Sequence, residues 1–172
     1  EEANCILIKV LEDKNQEAMV RHEAGEALGA IGSAHVVDVL KKYVKDPIEE
    51  VAETCEIALQ RLEWLQDPNR SDERLSNNPY ASVDPAPPAT IVDVSQLKGI
   101  LMDDRAGLFD RYRAMFALRN MRTKEAVAVL GSALFCGSAL FRHEIAFVLG
   151  QLQDETSVPF LKRSLEDSTE NE

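Results

Sequence analysis

RHEAGEALGAIG, residues 21–32, recurs in altered form as RHEIAFVLGQLQ at residues 142–153, and each copy carries an adjacent His-Glu pair. On a helix advancing 100° per residue, Val20, Ala24, Ala27, Leu28 and Ile31 fall within an arc of roughly 100°, the expected buried stripe. His22, Glu23 and Glu26 fall on the other side with Gly25 and Gly29, whose missing side chains leave that surface uncrowded. In the second copy Phe141, Ile145, Val148, Leu149 and Leu152 form the expected stripe. His143 and Glu144 stand away from it, near Ala146 and Gly150.

An imidazole beside a carboxylate is donor chemistry suited to iron, manganese or zinc, and glycine lets an ion or ligand approach the backbone. A single His-Glu dipeptide on a helix is ordinarily solvated decoration. Here two of the three histidines share one repeat register, which favours metal binding. The third, His35, lies in a short turn with no carboxylate beside it and reads as a surface or capping residue.

The register extends beyond these two copies. Glu53 follows His22 by 31 residues, and His143 follows Tyr112 in DRYRAMFALRNM by the same 31. A period of this length made of paired helices marks an α-solenoid, in which each repeat buries its apolar face only against its neighbours. The register positions hold in turn His22-Glu23, Glu53-Thr54, Tyr112-Arg113 and His143-Glu144, so the His-Glu pair is not a structural requirement of the repeat. Tyr112 and Arg113 suit packing or an ion pair, and Met115, Phe116 and Phe147 suit core or groove wall.

Around this register the chain reads as all-α. Residues 1–65 form a first group of helical repeats and 95–172 a second. Residues 1–13 look like the second helix of a hairpin, with 154–167 its counterpart: Leu11-Glu12-Asp13 and Leu165-Glu166-Asp167 align at a spacing of 154. The first group is thus expected to be incomplete at its front and the second at its back. SAHVVDVLKKYVKD pairs with the His22 helix, Asp46-Pro47 stops it, and VAETCEIALQRLEWL opens the next with Val51, Cys55, Ala58, Leu59 and Leu62 as its stripe. Between the groups, residues 66–94 hold five of the seven prolines, Pro68, Pro79, Pro85, Pro87 and Pro88, and read as an extended linker.

Composition narrows the function. With 45% hydrophobic residues the 172-residue chain is a folded protein, and 19 basic against 30 acidic residues give a net charge of −11. That charge argues against nucleic acid and favours a basic partner or cationic substrate. Cys5, Cys55 and Cys136 have no metal-like spacing and read as reduced, mostly buried thiols. There is no apolar run of membrane-spanning length, and the acidic start EEANC does not read as a signal peptide, so the expected location is cytoplasmic.

In this order, RHEAGEALGAIG, AETCEIALQRLEWL, YASVDPAPPA, RYRAMFALRN and CGSALFRHEIAFVLGQLQ resemble the deoxyhypusine hydroxylase family of HEAT-like repeat enzymes, over nearly the whole chain. The resemblance implies eight helical hairpins in two halves, with four His-Glu pairs holding two iron ions. It also implies a dioxygen-dependent monooxygenase that hydroxylates the deoxyhypusine side chain of eukaryotic translation initiation factor 5A. By this resemblance His22 and Glu23 would ligate one iron and His143 the other. Glu144 would be a ligand or a catalytic carboxylate beside it. Glu26, one helical turn from His22, reads as exposed helix surface first, and otherwise as a residue that orients His22 or meets the substrate amine. The chain departs from the pattern in having two His-Glu pairs. At an offset of 154, His22 points to a partner near position 176 and His143 to one about 11 residues before Glu1. The expectation is therefore a central part of the enzyme that alone retains iron weakly, turns over little, and could associate through its exposed repeat ends.

The chemistry agrees with the resemblance, because hydroxylating an unactivated carbon needs a redox metal, which zinc is not. The competing reading is a metal-free HEAT-like scaffold that binds a basic protein through its inner helices and the 66–94 segment. A bilin lyase of the same repeat class is weaker, because it does not account for SVDPAPPA.

Overall fold

The computed structural model describes residues 1–170, and all regular structure among them is helical. In chain order the helices are α1 (Glu2–Glu12), α2 (Ala18–Ile31), α3 (Val37–Tyr43), α4 (Glu49–Gln66), α5 (Val94–Leu101), α6 (Leu108–Met121), α7 (Lys124–Ala133), α8 (Ala139–Leu152) and α9 (Val158–Leu165). The all-α architecture of HEAT-like hairpins expected from the 31-residue register is the architecture observed.

The boundaries follow from local chemistry. Gly32 ends α2 in the left-handed region at φ 74°, where only glycine sits without strain, and its N–H returns to the Leu28 carbonyl. The side chains of Asp93, Thr123 and Ser138 cap α5, α7 and α8 by accepting from Gln96, Ala126 and Phe141 N–H. Pro47, with no N–H to donate, separates α3 from α4.

The chain divides into two compact units, one of residues 1–73 with 83–86, the other of 74–82 with 87–172. The proline-rich stretch is thus shared between them. In the first unit α2 packs on α1 and α4, and α3 on α4. Its core is Leu11, Ala24, Leu28, Val36, Leu40, Tyr43, Val51, Cys55, Ala58 and Leu62, with Leu59 partly buried against it. Each full-sized aliphatic side chain buried there contributes about 1.5–3 kcal/mol. In the second unit α5 packs on α6, α7 on α6 and α8, and α9 on α7. There Pro87 and Pro88 are buried, and Ala89 N–H bonds the Arg113 carbonyl at 2.9 Å, so these prolines are held rather than extended freely into solvent.

Some sequence expectations need correction. In α2, Val20 and Ile31 are 43% and 47% exposed, whereas Arg21, His22, Ala24, Gly25, Leu28 and Gly29 are buried. The buried face is turned by roughly 90° from the apolar stripe, reckoning 100° per residue. Two causes combine: the Arg21 charge is neutralised in place, and glycine gives α4 room to approach. In α8 the expected Phe141, Ile145, Val148 and Leu149 are buried, although Leu152 is only partly so. Met115 and Phe116 are core, but Phe147 is exposed. Cys5 is exposed rather than buried, while burial pushes the Cys55 thiol up to about 12, leaving it unreactive.

Candidate metal centre

Helix α2 carries His22, Glu23 and Glu26, and α4 determines how they stand. The two helices approach closely because Gly25 and Gly29 lie between them: a Cβ on Gly29 would meet Ala58 Cβ at 2.8 Å, and one on Gly25 would meet Thr54 Cγ2 at 3.1 Å. The glycines therefore serve helix packing and do not line an open metal approach. His22 is consequently buried, and its Nδ1 lies 2.6 Å from Thr54 Oγ1. The Thr54 hydroxyl in turn donates to the Glu50 carbonyl at 2.6 Å, one turn earlier on α4.

The other imidazole nitrogen faces carboxylates. His22 Nε2 is 3.9 Å from Glu23 Oε1 and 3.7 Å from Glu26 Oε2. Burial pushes the Glu26 carboxyl up to about 7, and the negative charges of Glu23 and Asp84 push the same way. Asp84 belongs to the 83–86 segment, whose carbonyl at 84 accepts from Arg61 Nε at 3.1 Å while Arg61 Nη1 bonds the Gly29 carbonyl at 3.2 Å. The first unit thus gathers several acidic groups around one buried imidazole, an arrangement that a cation would relieve.

Arg21 anchors the base of this site. Its Nε donates to the Leu11 carbonyl at 2.9 Å, and its Nη2 meets Asp46 Oδ2 at 2.6 Å with both side chains almost fully buried. The guanidinium holds the Asp46 carboxyl below its usual range, helped by the Ile48 N–H. The motif recurs in the second unit: Arg111 Nε donates to the Leu101 carbonyl at 3.0 Å, with Asp104 at 3.2 Å from Nη1 and the Cys136 sulfur at 3.8 Å from Nη2. Sequence reading missed this anchor, although its signal was present as an arginine before the register at 21, 111 and 142. It also missed Thr54, which occupies the register without a histidine.

In the second unit the register residues behave differently from one another. Tyr112 is a packing residue, buried against the Phe116 and Phe141 rings with centroids at 6.3 and 6.0 Å. His143 and Glu144 lie side by side on α8, His143 exposed and Glu144 buried. Arg142 bonds Glu170 through Nε at 2.9 Å. His35 is exposed in its turn, with Nε2 3.1 Å from Asn4 Nδ2, as expected of a surface residue.

Comparison with known proteins accords with the repeat architecture. The family model described as PBS lyase HEAT-like repeat matches residues 20–46, 110–136 and 141–167. These matches place the chain among HEAT-like repeat proteins and coincide with the His22, Tyr112 and His143 repeats. A deoxyhypusine hydroxylase of Danio rerio is 58% identical over 172 residues, covering 99% of this chain and 56% of the relative. The Homo sapiens deoxyhypusine hydroxylase is 56% identical over 166 residues, covering 96% and 54%. The solved structure of human deoxyhypusine hydroxylase in complex with glycerol superimposes with a TM-score of 0.92 at 55% identity, covering 99% of this chain and 58% of that one. The chain is thus similar to deoxyhypusine hydroxylases along nearly its whole length. It spans about half the length of the relatives it matches.

Proposed function

We propose that this chain is part of a deoxyhypusine hydroxylase, an iron-dependent monooxygenase that uses dioxygen to hydroxylate the deoxyhypusine side chain of eukaryotic translation initiation factor 5A in the cytoplasm. The observation that carries the proposal is the buried His22 imidazole with Glu23 and Glu26 within 4 Å of its Nε2. The donor set fits a metal. Two ligands each about 2.0–2.2 Å from one ion can be up to roughly 4.2 Å apart, and both separations fall inside that limit. Mixed imidazole and carboxylate donors with positions to spare suit non-haem iron. The similarity to proteins named deoxyhypusine hydroxylase over nearly the whole chain supports the same reading.

In this reading His22 and Glu23 hold one iron, and His143 and Glu144 contribute to the other, Glu144 also serving as a catalytic carboxylate. When bound, iron supplies the one-electron chemistry that carbon hydroxylation requires. The chain's own residues do the rest. Thr54 fixes the His22 ring, and Glu26 accepts from the substrate ammonium. The net charge of −11 draws a cationic side chain and its carrier toward the protein. Among the described residues no helix is long and apolar enough to cross a membrane, and an acidic surface does not attract nucleic acid.

The test is iron content by elemental analysis after aerobic reconstitution, on this chain and on a version lengthened to the span of its relatives. Mass spectrometry of the deoxyhypusine-bearing factor would then show whether it gains one oxygen. Near two irons per lengthened chain, little on this one, and loss of iron in His22→Ala and His143→Ala are the expected results. No iron on either chain would replace the proposal with a metal-free scaffold that binds a basic protein.

A further inference from the structure

We propose that Thr54 is the positioning residue that fixes the ring tautomer of His22, so that a repeat without a His-Glu pair equips its neighbour's. The inference rests on the metal reading above only for what His22 Nε2 is used for. A threonine hydroxyl has one proton. Thr54 Oγ1 lies 2.6 Å from the Glu50 carbonyl oxygen, which can only accept, so the proton is committed there. The same Oγ1 lies 2.6 Å from His22 Nδ1 and has only lone pairs left to offer. Nδ1 therefore carries the hydrogen, and in the neutral ring Nε2 carries the lone pair. That lone pair is on the side of Glu23 and Glu26.

The arrangement is shielded and tightly seated. His22 is 3% and Thr54 4% exposed, so water does not compete for the bond. The Thr54 methyl rests against Gly25, where a Cβ would lie 3.1 Å away. A metal-ligating imidazole is oriented by the acceptor its other nitrogen finds, and the opposite tautomer would place a hydrogen where the donor pair is needed. Thr54 stands at the second position of the register, one repeat beyond Glu23. The hydroxyl there donates within its own helix and accepts from the helix before.

Long-range proton–nitrogen correlation NMR on the metal-free chain at mildly alkaline pH reads the tautomer directly. The wild type should show protonated Nδ1 and unprotonated Nε2 at His22, and Thr54→Ser should keep that pattern. Thr54→Val, which matches the shape without the hydroxyl, should shift the ring toward protonated Nε2. In parallel, cobalt(II) titration of the lengthened protein should show a 10- to 100-fold loss of affinity in Thr54→Val and recovery in Thr54→Ser. A protonated Nε2 in the wild type overturns the proposal whether or not Thr54→Val folds. So does a Thr54→Val protein with unchanged ring resonances and unchanged cobalt affinity. If the resonances respond as expected while even the wild type binds no cobalt, Thr54 is still the positioning residue and the metal reading falls.

Discussion

Helices α2 and α8 share the RHE opening and a glycine eight residues after the arginine, yet they present that motif differently. His22 on α2 is buried and bonded to Thr54, whereas His143 on α8 is exposed. Gly29 is filled against Ala58, while nothing lies within 4 Å of a Cβ on its counterpart Gly150. The two helices differ in the repeat that comes after them. Helix α4 packs on α2, whereas among the described residues only α9 comes after α8. A His-Glu pair becomes a seated donor when the next repeat's helix closes over it and supplies the partner for the ring.

The largest effect should come from the arginines beneath the two motifs. Asp46→Ala leaves the Arg21 guanidinium buried and unpaired, and should cost about 3–5 kcal/mol in urea unfolding. Glu170→Ala, which removes the partner of Arg142 where both side chains are 23% exposed, should cost about 1 kcal/mol or less. Equal losses would show that the two anchors are energetically alike and break the comparison.

The same pair sets an acid dependence. Arg21 depresses the folded-state pKa of Asp46, so the unfolded chain binds a proton more readily. The stability this confers is present above the ordinary carboxylate value of 3.8 and is lost as pH falls through the lower folded value. Acid unfolding followed by circular dichroism should therefore have a shallower dependence on pH below about 4 in Asp46→Asn than in the wild type. A parallel limb in the variant would mean that other carboxylates dominate acid unfolding.

How much of this was legible beforehand depends on which residues carried the signal. The spacing of His22 to Glu53 and of Tyr112 to His143 gave the 31-residue register, and apolar periodicity gave the α8 stripe because Phe141, Ile145, Val148 and Leu149 are themselves apolar. It misplaced the α2 face because Arg21, Gly25 and Gly29 are buried for reasons a hydropathy pattern does not register: a charge matched by Asp46, 25 positions away, and the absence of a side chain where α4 presses in. The candidate ligands His22, Glu23 and Glu26 were visible as residue types at one register. Their support was not, because Thr54 is recognisable only once the distance from Oγ1 to both Glu50 and His22 is known.

The glycines sharpen the comparison further at intermediate size. Gly29→Ala forces a methyl to 2.8 Å from Ala58 Cβ and 3.1 Å from its Cα, and backbone cannot swing aside as a flexible side chain would. Separating α2 from α4 to make room should cost about 1–3 kcal/mol, read by urea unfolding. Because Thr54 rides on α4, the same substitution should loosen its contact with His22, which a change in the His22 ring resonances would report. Loss of stability with unaltered resonances would mean that the helices adjust without disturbing the site.

Gly150→Ala is the smallest and carries the opposite sign. No atom lies near the added methyl, and Gly150 sits within α8 with an ordinary helical backbone. Replacing glycine there removes unfolded-state freedom at no steric cost, so the variant should gain up to about 1 kcal/mol in the same urea experiment. The two substitutions are chemically identical and occupy equivalent register positions. Their opposite signs would trace entirely to whether a further helix packs on that face, and a loss at Gly150 would mean that something covers α8 there in solution as α4 covers α2.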